Sequence, residues 1–293
     1  MVRWRSGGCR RNWREVPEPD RVSGWLNILR AERSRPREIP HSLWQDTLTN
    51  FPFLARLSGS DLDLLRKLAR QFLDQKEFHG VAGFQISDEV ALAIAAQACL
   101  PVLHIESPFR GLDWYRDFVG IVVHAGPVRA QRERVDDAGI VHSYEEVLTG
   151  EAMQGGPVTL SWQDVMDAGQ SAHDGYNVVI HEFVHKIDMR DGSADGCPPL
   201  PADFMGALSA GRARKNWLQA MTTHYQDFCD KLSLSDRFGG PAQWLDPYAA
   251  ESIDEFFAVA SEAYFVNPKN FARDFAGLVP VFDAFFKPSR GSG

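Results

Sequence analysis

Two histidines, His181 and His185, lie four residues apart in the stretch NVVIHEFVHKID, residues 177–188, with Glu182 beside the first. On a helix a spacing of four puts two side chains on one side, about 40° apart. Both imidazoles can then aim a ring nitrogen at one ion. Glu182 falls about 100° round the helix from His181, beside the histidine line rather than on it. There a carboxylate can take a proton from a metal-bound water without occupying the metal. Tyr176, Val179, Ile180, Phe183, Val184 and Ile187 fill a broad wedge facing elsewhere. The helix can therefore pack into a core while its histidine line faces a cleft.

The pattern is HExxH, the arrangement by which zinc peptidases hold their ion and their base on one helix. A shuffled chain of this composition produces it by chance about once in seventy, so the motif needs a third ligand to carry weight. Three candidates compete. Asp188 and Asp191 stand three and six residues beyond the second histidine. In one zincin arrangement those places hold a turn glycine and a further ligand. Without glycine at 188 the helix is expected to continue, which turns Asp191 about 80° away from the histidine line. Asp188 is so close to His185 that it reads better as the acceptor of a ligand histidine's other N–H. The third candidate is in YAAESIDEFFAVASEAYFVNP, residues 248–268, where Glu255, Val259 and Glu262 share one line of a helix that is otherwise apolar. Such a helix is buried, and buried carboxylates require a cation or hydrogen bonds. Ser252-x-x-Glu255 is also a capping box, which offers Glu255 a purely structural role. Glu262 reads as an outer partner of a ligand histidine or as one half of an ion pair. The remaining histidines have no ligand spacing.

Several elements must position these groups. Leu62, Leu65, Leu68, Ala69 and Phe72 recur at helical spacing in residues 58–78, with Ser60 or Asp61 as cap. FQISDEVALAIAAQACLPVL reads as a short strand and then a buried helix. Residues 118–128 and 156–162, rich in β-branched residues and bounded by Gly and Pro, read as strands. GPVTLSW, the second of these, suits either a cleft edge that binds extended substrate as an added strand or the interior of a sheet. After the HExxH helix come a Gly- and Pro-rich loop, a helix over about residues 215–232 and closing helices over 252–286. Strands before helices without strict alternation predict an α+β fold, mainly helical with a small sheet.

With 293 residues, 44% apolar and 24% charged, the chain has the make-up of a globular protein with a sizeable core. Its charge is uneven. Residues 1–40 hold ten Arg against five acidic groups, and the rest holds 21 basic against 34 acidic, which together give the net −8. The first 40 residues are expected to form a disordered Arg-rich extension, and residues 41–288 a single domain. An acidic body argues against nucleic-acid binding by that domain. The longest apolar run, residues 90–103, is too short to span a bilayer. No apolar export region follows Arg10-Arg11, and the four cysteines are scattered. The expectation is a cytoplasmic protein without membrane association.

HEFVHKID together with the distant YAAESIDEFFAVASEAYF resembles the Mlc titration factor A (MtfA) family of zinc peptidases. That family is itself similar around the site to the anthrax lethal factor protease. The resemblance extends over roughly residues 44–286 and includes FLDQKEFHGVAGFQI, ACLPVLH, GPVTLSWQDV and PKNFARDF. It implies a zincin-like fold of the gluzincin type, with one zinc ion per chain on His181, His185 and Glu255. It implies that Glu182 is the general base and that Tyr248, seven residues before Glu255, is the phenol that steadies the oxyanion. It further implies peptidase chemistry, with aminopeptidase activity on small substrates. As a partner it implies a cytoplasmic repressor of the Mlc type, whose capture lifts repression of sugar-uptake genes. A repressor-binding protein with a mainly structural zinc site is the rival reading; the retained Glu182 favours the enzyme.

Overall fold

Ser58 opens the first long helix by accepting the Asp61 N–H at 3.2 Å, the service an N-cap hydroxyl gives to an orphan donor. The computed structural model describes residues 38–135, 141–148 and 150–287. After helix α1 (His41–Asn50), this capped helix α2 runs from Gly59 to Gln75 and buries Leu65, Leu68, Ala69, Phe72 and Leu73. It stops three residues short of the predicted end, because the chain enters strand β1 (Glu77–Gly80). Residues 84–87, read as a strand, are not one. A Cβ on Gly80 would overlap the Phe84 carbonyl, and Ala82 and Gly83 have φ of 54° and 82°, so the chain reverses directly after β1. Ser87 instead caps helix α3 (Asp88–Cys99), buried from Val90 to Cys99. An alanine-rich helix covered on all sides lets its neighbours approach closely.

Strands β2 (Gly120–His124), β3 (Val128–Val135), β4 (Val141–Leu148), β5 (Gly150–Ala152) and β6 (Val158–Ser161) follow. Two sheets result. The larger has the order β1-β2-β6-β5, with β1, β2 and β6 parallel and β5 antiparallel to β6. The smaller is the β3–β4 hairpin, which pairs Val128 with Leu148 through Val135 with Val141. GPVTLSW therefore supplies an interior strand, with Ile121 opposite Val158 on one side and Gly150 opposite Leu160 on the other. The free edge on that side belongs to β5.

Helix α4 (Trp162–Ser171) leads to helix α5 (Val178–Asp188), which carries the HExxH motif. Beyond Asp188 the expected continuation tightens into a 3₁₀ turn, Met189–Asp191, and Gly192 ends it. Helix α6 (Ala210–Phe238) is longer at both ends than the periodicity indicated; Ser209 caps its start, and Gly239 closes it in the left-handed region. Helix α7 (Ile253–Val266) carries Glu255 and Glu262, and helices α8 (Pro268–Asp274) and α9 (Val279–Phe286) end the described chain. Trp217 stacks parallel to Phe282 with ring centroids 6.1 Å apart and meets Phe257 edge-on at 5.5 Å. These rings bind α6, α7 and α9 into one core. No described helix is long and apolar enough to cross a membrane. The Arg-rich extension expected over residues 1–40 lies outside the described residues, apart from the last three.

Candidate metal centre

Asn177 begins α5. Its side-chain oxygen accepts the Ile180 N–H at 2.9 Å, and its amide nitrogen donates to Gln97 of α3 at 2.8 Å. The helix so started is buried along its whole length except at His181. Helix α7 packs against it and is started by Ser252, which accepts the Glu255 N–H. Half of the expected capping box is thus formed. The Glu255 carboxylate leaves it and turns to the histidines instead.

Three donor atoms converge. His181 Nε2 is 3.1 Å from Glu255 Oε2, His185 Nε2 is 3.2 Å from the same oxygen, and the two Nε2 atoms are 3.1 Å apart. Ligands about 2.05 Å from a tetrahedral zinc stand about 3.3 Å from one another. The triangle therefore has the dimensions of three corners of such a site, and its two imidazoles and one carboxylate suit that ion. Outside it, His181 Nδ1 donates to Glu262 Oε1 at 2.8 Å, and Glu262 Oε2 accepts the Asn177 N–H. Glu262 thus fixes the tautomer that leaves Nε2 as the lone-pair atom, the usual service of an outer carboxylate.

Charge is crowded here. Burial alone lowers the pKa of His181, but hydrogen bonds to Glu255 and Glu262 more than offset it and the net effect is to raise it. Burial raises Glu255, yet its hydrogen bonds with the two histidines hold it well below the usual carboxylate range. A dication held by His181, His185 and Glu255 would supply the same compensation to Glu255. Glu182, 5% exposed, forms no part of the triangle. Burial pushes its carboxyl up to about 7, against the pull of the two imidazoles. A value near neutrality suits a group that must both accept and return a proton.

Tyr248 sits on a short 3₁₀ turn, Pro247–Ala250, with its hydroxyl 3.3 Å from Glu255 Oε1 and its ring centroid 6.1 Å from that of His181. It is 43% exposed, so the phenol stands at the mouth of the site. Asp188 departs from expectation. One of its oxygens accepts the Gly196 N–H at 2.8 Å, and the other has no partner among the described residues. It fastens the following loop rather than a ligand histidine, because the helix tightens after it and aims the carboxylate at residues 195–197. Asp191 is exposed and stands outside the group that could hold an ion.

Nothing in the residue pattern points to Gly150. It opens β5 directly above Glu182, and a Cβ there would overlap the Glu182 carboxylate. Asn177 carries the local signal of a cap residue before an apolar run, whereas nothing local marks Lys186.

Comparison with known proteins follows this geometry. Residues 25–287 match the family described as glucose-regulated metallo-peptidase M90, and the chain belongs to that family. The match begins inside the segment set apart as an extension. Among individual relatives, Mlc titration factor A of Salmonella agona (strain SL483) is 33% identical over 245 residues, covering 83% of this chain and 85% of that protein. Mlc titration factor A of Salmonella arizonae (strain ATCC BAA-731 / CDC346-86 / RSK2980) is 33% identical over 246 residues, 84% and 90% of the two chains. This is a metallopeptidase-family protein of the Mlc titration factor A type.

Proposed function

We propose that this protein is a zinc-dependent peptidase of the gluzincin type that releases N-terminal residues from small peptides, with one zinc ion on His181, His185 and Glu255. The observation that carries the reading is the triangle of 3.1–3.2 Å edges with a buried carboxylate beside it that takes no part in holding the ion. A structural site has no use for such a carboxylate.

Zinc held by three protein ligands supplies an acidified water and polarises the scissile carbonyl. Glu182 accepts the proton of the attacking water and returns it to the leaving amine. Its burial keeps bulk water from competing for that proton. The Tyr248 hydroxyl donates a hydrogen bond to the carbonyl oxygen as it gains negative charge. Glu262 holds the His181 ring in place throughout. Strand β5, one of the two edges of the larger sheet among the described strands, lies over Glu182 and offers backbone groups to an extended substrate. The same reading places the protein in the cytoplasm, where the free Cys99, Cys197 and Cys229 stay reduced.

The relatives' name supports a second reading, capture of a transcriptional repressor of the Mlc type with the metal serving structure alone. One experiment separates the two: metal analysis combined with cleavage of amino-acyl amides and a peptide library, with and without chelator. Close to one zinc per chain is expected, with turnover abolished by chelation. Glu182→Gln should keep zinc while turnover falls by roughly 10²-fold or more, the scale of general-base loss. Full turnover in the zinc-loaded Glu182→Gln protein would sink the enzyme reading and leave the repressor-binding one.

A further inference from the structure

Lys186 follows the second histidine of the motif and is fully buried. Its ammonium is held by carbonyls. Nζ donates to Met153 O and, at 2.8 Å, to Gly156 O, and it lies 4.3 Å from the centroid of the Phe118 ring. Met153 and Gly156 bracket the turn between β5 and β6, a turn closed by the Gly156 N–H on Met153 O at 3.0 Å. Lys186 is also four residues beyond Glu182, so both side chains leave α5 on one side. Glu182 lies against Gly150 at the start of β5, and Lys186 grips the turn at its end. Strand β5 has only three residues and, among the described strands, pairs with β6 alone. A strand that short has little order of its own. The helix that carries the two candidate histidine ligands therefore clamps it at both ends.

We infer that Lys186 is a positioning residue for substrate: its ammonium, held between the Met153 and Gly156 carbonyls and facing Phe118, fixes edge strand β5 in register with the metal centre, so that extended peptides add to β5 with the scissile bond beside Glu182. The inference rests on the peptidase reading and on β5 as the substrate edge. Replacing the ammonium by an apolar chain takes this donor from Gly156 O and leaves Met153 O with the Gly156 N–H alone, and it frees β5 to shift. Substrates that reach only the metal, Glu182 and Tyr248 do not feel that shift; substrates that extend along β5 do.

The test uses the full-length zinc protein with Lys186→Met, and Lys186→Gln as the variant that keeps N–H donors. KM is measured for an amino-acyl amide and for a peptide of six residues, zinc content is measured, and amide deuterium uptake is followed over residues 150–157. In Lys186→Met the hexapeptide KM should rise about tenfold, the cost of a weakened strand addition, with the amino-acyl amide KM and kcat held. Zinc should stay, and faster exchange should be confined to 150–157. Lys186→Gln should fall between the two. Should Lys186→Met not fold, Lys186→Gln and Phe118→Leu carry the same comparison. Equal loss on both substrates, loss of zinc, or faster exchange across the whole chain would make Lys186 a plain core residue and overturn the inference. So would unchanged hexapeptide KM. If the parent protein cleaves neither substrate, the peptidase reading fails by itself. In that case hexapeptide binding by zinc-loaded parent and Lys186→Met, measured by calorimetry, together with the exchange data, decides on Lys186.

Discussion

A methyl group at position 150 would occupy the space that the Glu182 carboxylate fills. Alanine suits a strand at least as well as glycine, so Gly150→Ala has no backbone reason to unfold the protein. It should displace the carboxylate, and misplacement of a reacting group by about 1 Å costs on the order of 10²-fold. Zinc content should be unchanged while kcat drops by about 10- to 100-fold; an unaltered kcat would mean that Glu182 acts from another rotamer or not at all. Tyr248 makes the complementary case. Its hydroxyl stands at the mouth of the site, 3.3 Å from the Glu255 oxygen that lies off the triangle. Tyr248→Phe should keep zinc and KM and lower kcat, because the hydrogen bond to the oxyanion strengthens only in the transition state. Steady-state kinetics on the zinc-loaded protein decide it, and a pure KM effect would reassign the phenol to substrate binding.

Helices α5 and α7 must meet at a fixed distance, and the loop after α5 sets it. Gly196, at φ 73°, gives its N–H to Asp188 and takes the Trp217 indole N–H on its carbonyl. A Cβ there would stand 2.8 Å from the Ile253 carbonyl at the start of α7. Gly196→Ala should cost roughly 1–3 kcal/mol through backbone strain and that overlap. It should also weaken zinc, since Glu255 lies two residues beyond Ile253. Thermal unfolding with and without chelator reads both effects; a lower Tm with unaltered zinc affinity would detach the loop from the site. Such long-range fits are what the sequence conceals. HExxH was legible because one helix period relates its residues, and Glu255 and Glu262 because a single apolar helix carries them at one line. The cap residue Ser252 signals locally too, whereas α2 is capped by Ser58 and not by the expected Ser60 or Asp61, because the helix starts earlier, at Gly59. Strand β1 is four residues with no alternation, EFHG, and forms only by pairing with β2, 43 positions on in register. The β3 strand, VRAQRERV, carries too many charges to read as a strand. Lys186 reads as an ordinary surface lysine until the turn above it is placed.

Over the whole molecule, which carries a net charge of −8, two of the described lysines are buried, Lys76 and Lys186. Lys76 is 7% exposed, donates to the Tyr115 and Phe118 carbonyls and lies 3.9 Å from the Phe118 ring centroid. Burial lowers its pKa to about 8, although Asp117 pulls it back up. The unfolded chain holds that proton up to about pH 10.4. Between the two values the unfolded state binds more protons than the native one, so this lysine's contribution to stability grows as pH rises from about 8 to about 10.4. The difference in Tm between the parent and Lys76→Met should move in the parent's favour over that range, and a difference independent of pH would place the native pKa near its ordinary value. The groups of the candidate metal centre, for their part, are distant in sequence, 70 positions between the ligands His185 and Glu255 and 81 between His181 and its outer partner Glu262. At ribosomal rates of about 5–20 residues per second, those stretches take about 4–16 s to synthesise. Until α7 has emerged, the nascent chain offers an ion only a pair of imidazoles, which copper or nickel would occupy more tightly than zinc. The choice of metal thus falls late in the life of the polypeptide, after the carboxylates arrive, and belongs to the finished fold rather than to the motif.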